Sequence, residues 1–164
     1  MPASFFEEIV ERLIAQQVEF VVVGGMSAVL HGASIITQDL DLCFRRTPQN
    51  IARLVAALKP LNPRLRDFPP DLPFFFDERA IQLGTSFTFL IRDESLDLLT
   101  EMDAIGGYDQ IIGDAEEMAV GNFTVKVLAL EKLIATKTAA NRPKDRWALP
   151  VLEAMRQMKR ESQG

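Results

Sequence analysis

A chain of 164 residues with 48% apolar and 25% charged side chains has the size and composition of one globular domain able to bury a core, which excludes disordered and fibrous classes. Its net charge of −5, with no broad basic excess, no basic patch interleaved with aromatics and no apolar run of membrane-spanning length, disfavours duplex-DNA binding and membrane insertion. Met-Pro-Ala-Ser-Phe-Phe-Glu-Glu at the start lacks the basic and apolar regions of a leader, so a soluble, cytoplasmic protein is expected.

Ser4 followed by Glu7 has capping-box spacing, and Phe6, Ile9, Val10, Leu13 and Ile14 form an apolar stripe, which predicts a first helix from Ser4 to about Gln17. Val21–Val23 is a β-branched run suited to a buried strand, and Gly24-Gly25 ends it where a short helix begins. A glycine pair there brings bare backbone N–H groups up to a phosphate, and Ser27 adds a hydroxyl in the first turn. Asp39 and Asp41 lie two apart on the next strand, so both point to one face while Leu40 and Leu42 point into a core. Two carboxylates held side by side repel unless a hard cation sits between them, and Mg²⁺ is the oxygen-liganded ion that also carries nucleotide phosphates. The single cysteine, Cys43, forms no internal disulfide and is expected to pack.

This stretch resembles the nucleotidyltransferase superfamily, whose signature is a hydrophobic residue, Gly, Gly or Ser, a spacer, then Asp, a hydrophobic residue, Asp or Glu, and another hydrophobic residue. Val23-Gly24-Gly25 and Asp39-Leu40-Asp41-Leu42 fill every slot, with the spacer at the long end of the family's range. The resemblance implies the minimal polymerase-beta-like fold: α/β (α+β), a mixed central sheet flanked by helices, with C-terminal helices. Where many relatives carry an Arg shortly before the first Asp, this chain has Ser34-Ile35-Ile36-Thr37, which removes a phosphate or RNA contact from that position. His31 before Gly32 matches a family pattern too, but is read as a hydrogen-bonded structural residue.

Thr47-Pro48 opens a helix whose inward face is Ile51, Leu54, Val55 and Leu58. Residues 59–77 carry five prolines and are read as a surface loop rimming the site, with Phe74-Phe75-Phe76 either an anchor, the favoured reading, or a wall for a nucleobase. Ser86–Ile91 and Leu96–Thr100 read as a hairpin joined through Arg92-Asp93-Glu94-Ser95. If its second strand pairs beside the Asp39 strand, Asp97 becomes a third carboxylate on the same face; the family takes its third acid from a later strand. Asp93, Glu94, Glu101 and Asp103 compete with it. Gly106-Gly107 marks a turn, and Met118–Val120 with Phe123–Leu128 forms a second hairpin. Leu130, Leu133 and Ile134 give a helix ending at Ala140, and Pro143 opens a last helix in which Pro150 predicts a kink or break.

The expected division is a core over 1–128 and a helical segment over 129–164 packed on it, one domain overall. Residues 1–125 carry nine Lys or Arg against nineteen Asp or Glu, a balance of −10, and residues 126–164 nine against four, a balance of +5. Either the two halves face each other across a cleft that takes a polyanion with its metal, or the tail is a solvated helical face, the simpler reading of charge alone.

Lys137 to Asp145, Lys-Thr-Ala-Ala-Asn-Arg-Pro-Lys-Asp, is similar to a segment following the catalytic core in bacterial AbiEii toxin-like members of the superfamily. Carried over, Lys137 contacts the triphosphate and Asp145 positions it or the acceptor; otherwise Asp145 stabilises a helix start and Lys137 is solvated. The resemblance thus implies a metal-dependent nucleotidyltransferase: Mg²⁺, two ions, or Mn²⁺ in its place, held by Asp39, Asp41 and Asp97. A nucleoside triphosphate such as ATP lies on Gly24, Gly25, Ser27, Lys137 and Asp145, and the acceptor is an RNA, protein or small-molecule hydroxyl. The alternative is a non-catalytic module or toxin–antitoxin component with an antitoxin-type partner.

Overall fold

The computed structural model describes residues 4–163, so the expectations for the chain's first three residues and for residue 164 lie outside it. Helix α1 (Phe5–Ala15) starts where Ser4 Oγ accepts the Glu7 N–H at 3.1 Å and buries Ile9, Val10 and Leu13. Strand β1 (Phe20–Val23), fully buried, runs into helix α2 (Gly24–Leu30) and returns as β2 (Asp39–Phe44). Helix α3 (Pro48–Leu58) has its cap on Thr47 and Pro48 in its first turn. There follow β3 (Arg64–Leu65), α4 (Glu78–Leu83), β4 (Ser86–Ile91), β5 (Glu94–Leu99) and the two-residue strands β6 (Glu101–Met102) and β7 (Gly106–Gly107). The chain ends with α5 (Tyr108–Ile111), β8 (Glu116–Val120), β9 (Phe123–Val127), α6 (Leu130–Ala140) and α7 (Pro143–Gln163).

Seven strands form one mixed sheet in the order β3-β4-β5-β2-β1-β9-β8, with β2 parallel to β5 and antiparallel to β1. Strand alternation sorts the side chains onto two faces. On one, Leu40, Leu42, Leu96 and Leu98 pack against α1 and α3; on the other, Val21, Val23 and Cys43 pack against Leu130, Leu133, Ile134 and Leu152 from α6 and α7. The fold is the expected mixed α/β sheet with helices on both sides. The second face matters for function, because Asp39 and Asp41 share it with Cys43.

Three local expectations are corrected in whole or in part. The hairpin between β4 and β5 turns on two residues, Arg92 and Asp93, both with positive φ (49° and 70°), so β5 starts at Glu94. Primed turns fit the strand twist even without Gly or Asn, and nothing local signals this one. Helix α7 runs through Pro150, so of the two outcomes expected there, a kink or a break, the break does not occur. Pro150 and Arg146, whose carbonyl loses its intrahelical donor, are both exposed, so water can take the unpaired group. The proline-rich segment contributes nothing to the lining of the cleft described below, although its Arg66 borders a neighbouring groove that also includes Asp39. Phe74 and Phe76 tie it to Phe89 of β4, ring centroids 6.1 and 5.2 Å apart, toward the β3 edge of the sheet. Those two rings anchor the segment, and Phe75 is exposed.

Candidate active site

Strand β2 turns Asp39 and Asp41 to one face because the residues between and after them, Leu40 and Leu42, are drawn into the core. The parallel register of β5 pairs Asp39 with Ser95 and Asp41 with Asp97, placing Asp97 on the same face directly opposite Asp41. Of the acids competing for the third position, Asp97 is the one the fold brings to the pair. Asp41 is pushed up to about 7: first by burial, then by a hydrogen bond with Asp97 and by repulsion from Asp97 and Asp39, with Lys144 pulling the other way.

The Oδ1 atoms of both Asp41 and Asp97 are buried without a hydrogen-bond partner. Buried acceptors are nearly always satisfied, so two orphaned carboxylate oxygens together are free donor positions for a cation. Hard oxygen donors of this kind suit Mg²⁺ or Mn²⁺. Asp39 lines the cleft and contributes to the field at Asp41. Among the described residues no group of three or more His, Cys, Asp or Glu side chains is arranged to hold a metal ion. The site is thus a buried carboxylate pair with a third acid at its edge.

Gly24 has φ +64°, and a Cβ there would run into the Asp41 carboxylate, with its Cγ at 2.8 Å. At Gly25 a Cβ would meet Thr37 Oγ1 at 2.7 Å. The glycine pair therefore lets the β1–α2 turn lie flush against the acid-bearing strand. Ser27 is placed elsewhere: it is fully buried, and its Oγ donates to the Gly24 carbonyl at 2.6 Å. With only seven residues in α2, the helix dipole is a small anion attractant beside side-chain cations.

Those cations come from α6, α7 and the turn between them. Lys137, Arg142 and Lys144 line both the main cleft, about 530 Å³, and a smaller recess of about 160 Å³ that reaches Asp97. Asp145 holds two of them and is wholly buried. Its carboxylate accepts from Arg142 Nε at 2.7 Å, from the Arg142 backbone N–H at 3.0 Å, and from Lys137 Nζ at 3.4 Å. Burial works to raise its pKa, but the Arg142 side chain and backbone and the Lys137 charge together hold it below the usual carboxylate value. Asp145 thus faces Lys137 and Arg142 and does not line the cleft.

The basic tail and the acidic core do face each other across a cleft. Arg142 and Lys144 carry no site role in the sequence reading, although they lie inside the Lys137–Asp145 segment that supplied its two tail residues. His31 is structural: its Nε2 lies 2.7 Å from the Leu128 carbonyl and its Nδ1 3.4 Å from Glu116.

Residues 3–98 match the family model described as nucleotidyltransferase of unknown function (DUF6036). This span includes both glycines and all three acids, and stops before the cations of α6 and α7. No curated protein matches the chain. The fold is similar to that of the lincosamide antibiotic adenylyltransferase LnuA with lincomycin bound, at a TM-score of 0.63 and 13% identity over 94% of this chain and 99% of that one. It is also similar to ANT(2'')-Ia in complex with adenylyl-2''-tobramycin, at 0.60 and 16% over 97% of each chain. TM1012 from Thermotoga maritima aligns at 0.55 and 14% over 95% of this chain and 91% of that one. At such identities the likeness is one of fold.

Proposed function

The chain belongs to the family of nucleotidyltransferases of unknown function DUF6036, and on that premise we propose that it moves a nucleoside monophosphate from a nucleoside triphosphate to an acceptor hydroxyl. The observation that carries this reading is the Asp41–Asp97 pair, two carboxylates forced together with an unpartnered buried oxygen on each. Asp39, Asp41 and Asp97 would hold Mg²⁺, which when bound supplies positive charge to the phosphates and lowers the pKa of the acceptor hydroxyl.

The remaining work belongs to the chain itself. Lys137, Arg142 and Lys144 bind the triphosphate along the wall facing the acids, and the Gly24-Gly25 turn lets it approach the acid-bearing strand closely. Asp97 takes the acceptor's proton as the acceptor oxygen bonds to the α-phosphorus. The bond from that phosphorus to the bridging oxygen breaks, and pyrophosphate leaves with the electron pair. Arg142 and Lys144 face the charge that grows on it.

LnuA and ANT(2'')-Ia, matched over almost their whole length, are described with small antibiotics, one with lincomycin bound and one with adenylyl-2''-tobramycin. We therefore take a small hydroxylated molecule as the acceptor and ATP as the donor. A non-catalytic module or antitoxin-bound component has no use for repelling buried carboxylates, whose loss would stabilise it. Incubating the protein with Mg²⁺ and α-labelled ATP, GTP, CTP or UTP against small-molecule, RNA and protein acceptors tests the proposal. Label transferred by the wild type and not by Asp41→Asn supports it, and transfer by both sinks it. Label appearing only on RNA or protein overturns the small-molecule assignment.

A further inference from the structure

Trp147 and Ile36 are large apolar side chains left almost wholly in solvent, 84% and 94% exposed, yet both line the cleft that contains the acids and the cations. Scattered exposed apolar residues are ordinary; two of them bordering one strongly polar cleft are not. Ile36 comes from the segment entering β2, two residues from Gln38 and three from Asp39, while Trp147 comes from the start of α7. Lys144 and Trp147 are three apart on that helix, which makes them neighbours on one of its faces. A ligand whose phosphates reach Lys144 can therefore place its other end beside the indole.

Resting on the nucleotidyl-transfer reading, we propose that Trp147 and Ile36 form the nucleobase subsite, with the base stacked on the indole, Ile36 beside it, and the phosphates toward Lys137, Arg142 and Lys144. The cleft volume of about 530 Å³ lies within the range that small-molecule sites occupy. The aromatic segment Phe74-Phe75-Phe76 cannot serve here, since Phe74 and Phe76 are spent on Phe89. Stacking reads the face of a base and not its edge, so all four bases fit, and purines, with more ring to cover, bind tighter than pyrimidines.

The chain has one tryptophan, so its fluorescence reports this subsite alone. MgATP and magnesium with inorganic triphosphate are titrated into the wild-type protein, with fluorescence and calorimetry read together. ATP is expected to quench and shift the indole emission, and triphosphate to bind without doing so. Trp147→Ala is expected to weaken ATP binding about tenfold while leaving triphosphate affinity unchanged, and Trp147→Phe to retain most of the ATP affinity. ATP binding with unaltered emission, or equal ATP affinity in Trp147→Ala, overturns the subsite and leaves the transfer reading intact. If neither ATP nor triphosphate binds, the transfer reading fails and the subsite with it.

Discussion

Asp41 and Asp97 are cross-strand partners in the parallel pairing that joins β2 to β5, and each carries a buried Oδ1 without a hydrogen-bond partner. Burial first, and then the neighbouring carboxylates, push the Asp41 carboxyl up to about 7. A core selected for stability alone would not keep this pair. On the proposed reading, a divalent cation bound between the two carboxylates would offset the free energy that the pair costs.

Asp41→Asn removes one charge and keeps the shape. At pH 8 the variant should be more stable than the wild type by about 1–3 kcal/mol in the absence of divalent cations, as expected when repelling buried charge is removed. Nucleotidyl transfer should fall at least a hundredfold, on the order of losing a principal electrostatic contact to the reacting phosphate. Urea unfolding and label transfer on the same preparation check both. A variant that is inactive and also less stable would point to a structural role for Asp41.

The wild-type stability should fall as pH rises from about 4 to about 7. Below the unfolded value of 3.8 both states hold the Asp41 proton; between 3.8 and about 7 the native state keeps a proton that the unfolded chain has released. The native state then binds more protons, so unfolding free energy declines with pH, by at most about 1.4 kcal/mol per unit, and levels off above 7. Groups facing Asp41 are Asp97, Asp39 and Lys144, and other acids titrate in the same range, so the difference between wild type and Asp41→Asn isolates the effect. Millimolar Mg²⁺ should remove most of that difference at pH 8. Parallel stability curves for the two proteins across this range would contradict the assignment.

Much of the acid side was readable because a strand has a period of two: Asp39-Leu40-Asp41-Leu42 and Leu96-Asp97-Leu98 each place carboxylate and leucine on opposite faces whatever surrounds them. What the alternation could not give was the register, which is set by the parallel pairing of β2 with β5, two strands distant in sequence. The cation side was harder. Lys137, Arg142 and Lys144 reach the acids only because α6 and α7 fold back at Asn141, in the left-handed region at φ +50°. Charges brought together by such a turn leave no periodic pattern. Ser27 shows a different limit: a hydroxyl in the first helical turn can face a ligand or bond back to the turn's own carbonyl, and the residue type is the same for both. Here it bonds Gly24.

Gly24→Ala and Gly32→Ala separate a collision from backbone strain. Both glycines have positive φ, but a Cβ at Gly24 meets the Asp41 carboxylate, whereas one at Gly32 has nothing within 4 Å. Each should lower stability by roughly 1–2 kcal/mol. Gly24→Ala should in addition weaken Mg²⁺ and nucleotide binding by tenfold or more, measured by calorimetry at pH 8, because Asp41 must move. Gly32→Ala should bind as wild type, and equal losses in the two would mean that strain alone, not contact with Asp41, explains the glycine.

Asp145→Ala tests whether that buried acid acts on the ligand or through its neighbours. Its removal leaves Lys137, 11% exposed at its side chain, without its carboxylate and takes the acceptor from the Arg142 backbone N–H at the start of α7. Breaking a buried ion pair of this kind should destabilise the fold by about 2–3 kcal/mol, less than for a fully enclosed pair because the Arg142 side chain is 57% exposed. With its pKa held down in the folded state, Asp145 contributes stability that is present above the unfolded carboxylate value and lost as pH falls through the folded one, so the gap between wild type and variant should narrow toward pH 3. In kinetics the loss should appear mainly as a raised KM for the nucleotide, since Lys137 and Arg142 remain but are no longer fixed. A fall in kcat with unchanged KM and unchanged stability would instead place Asp145 at the reacting atoms.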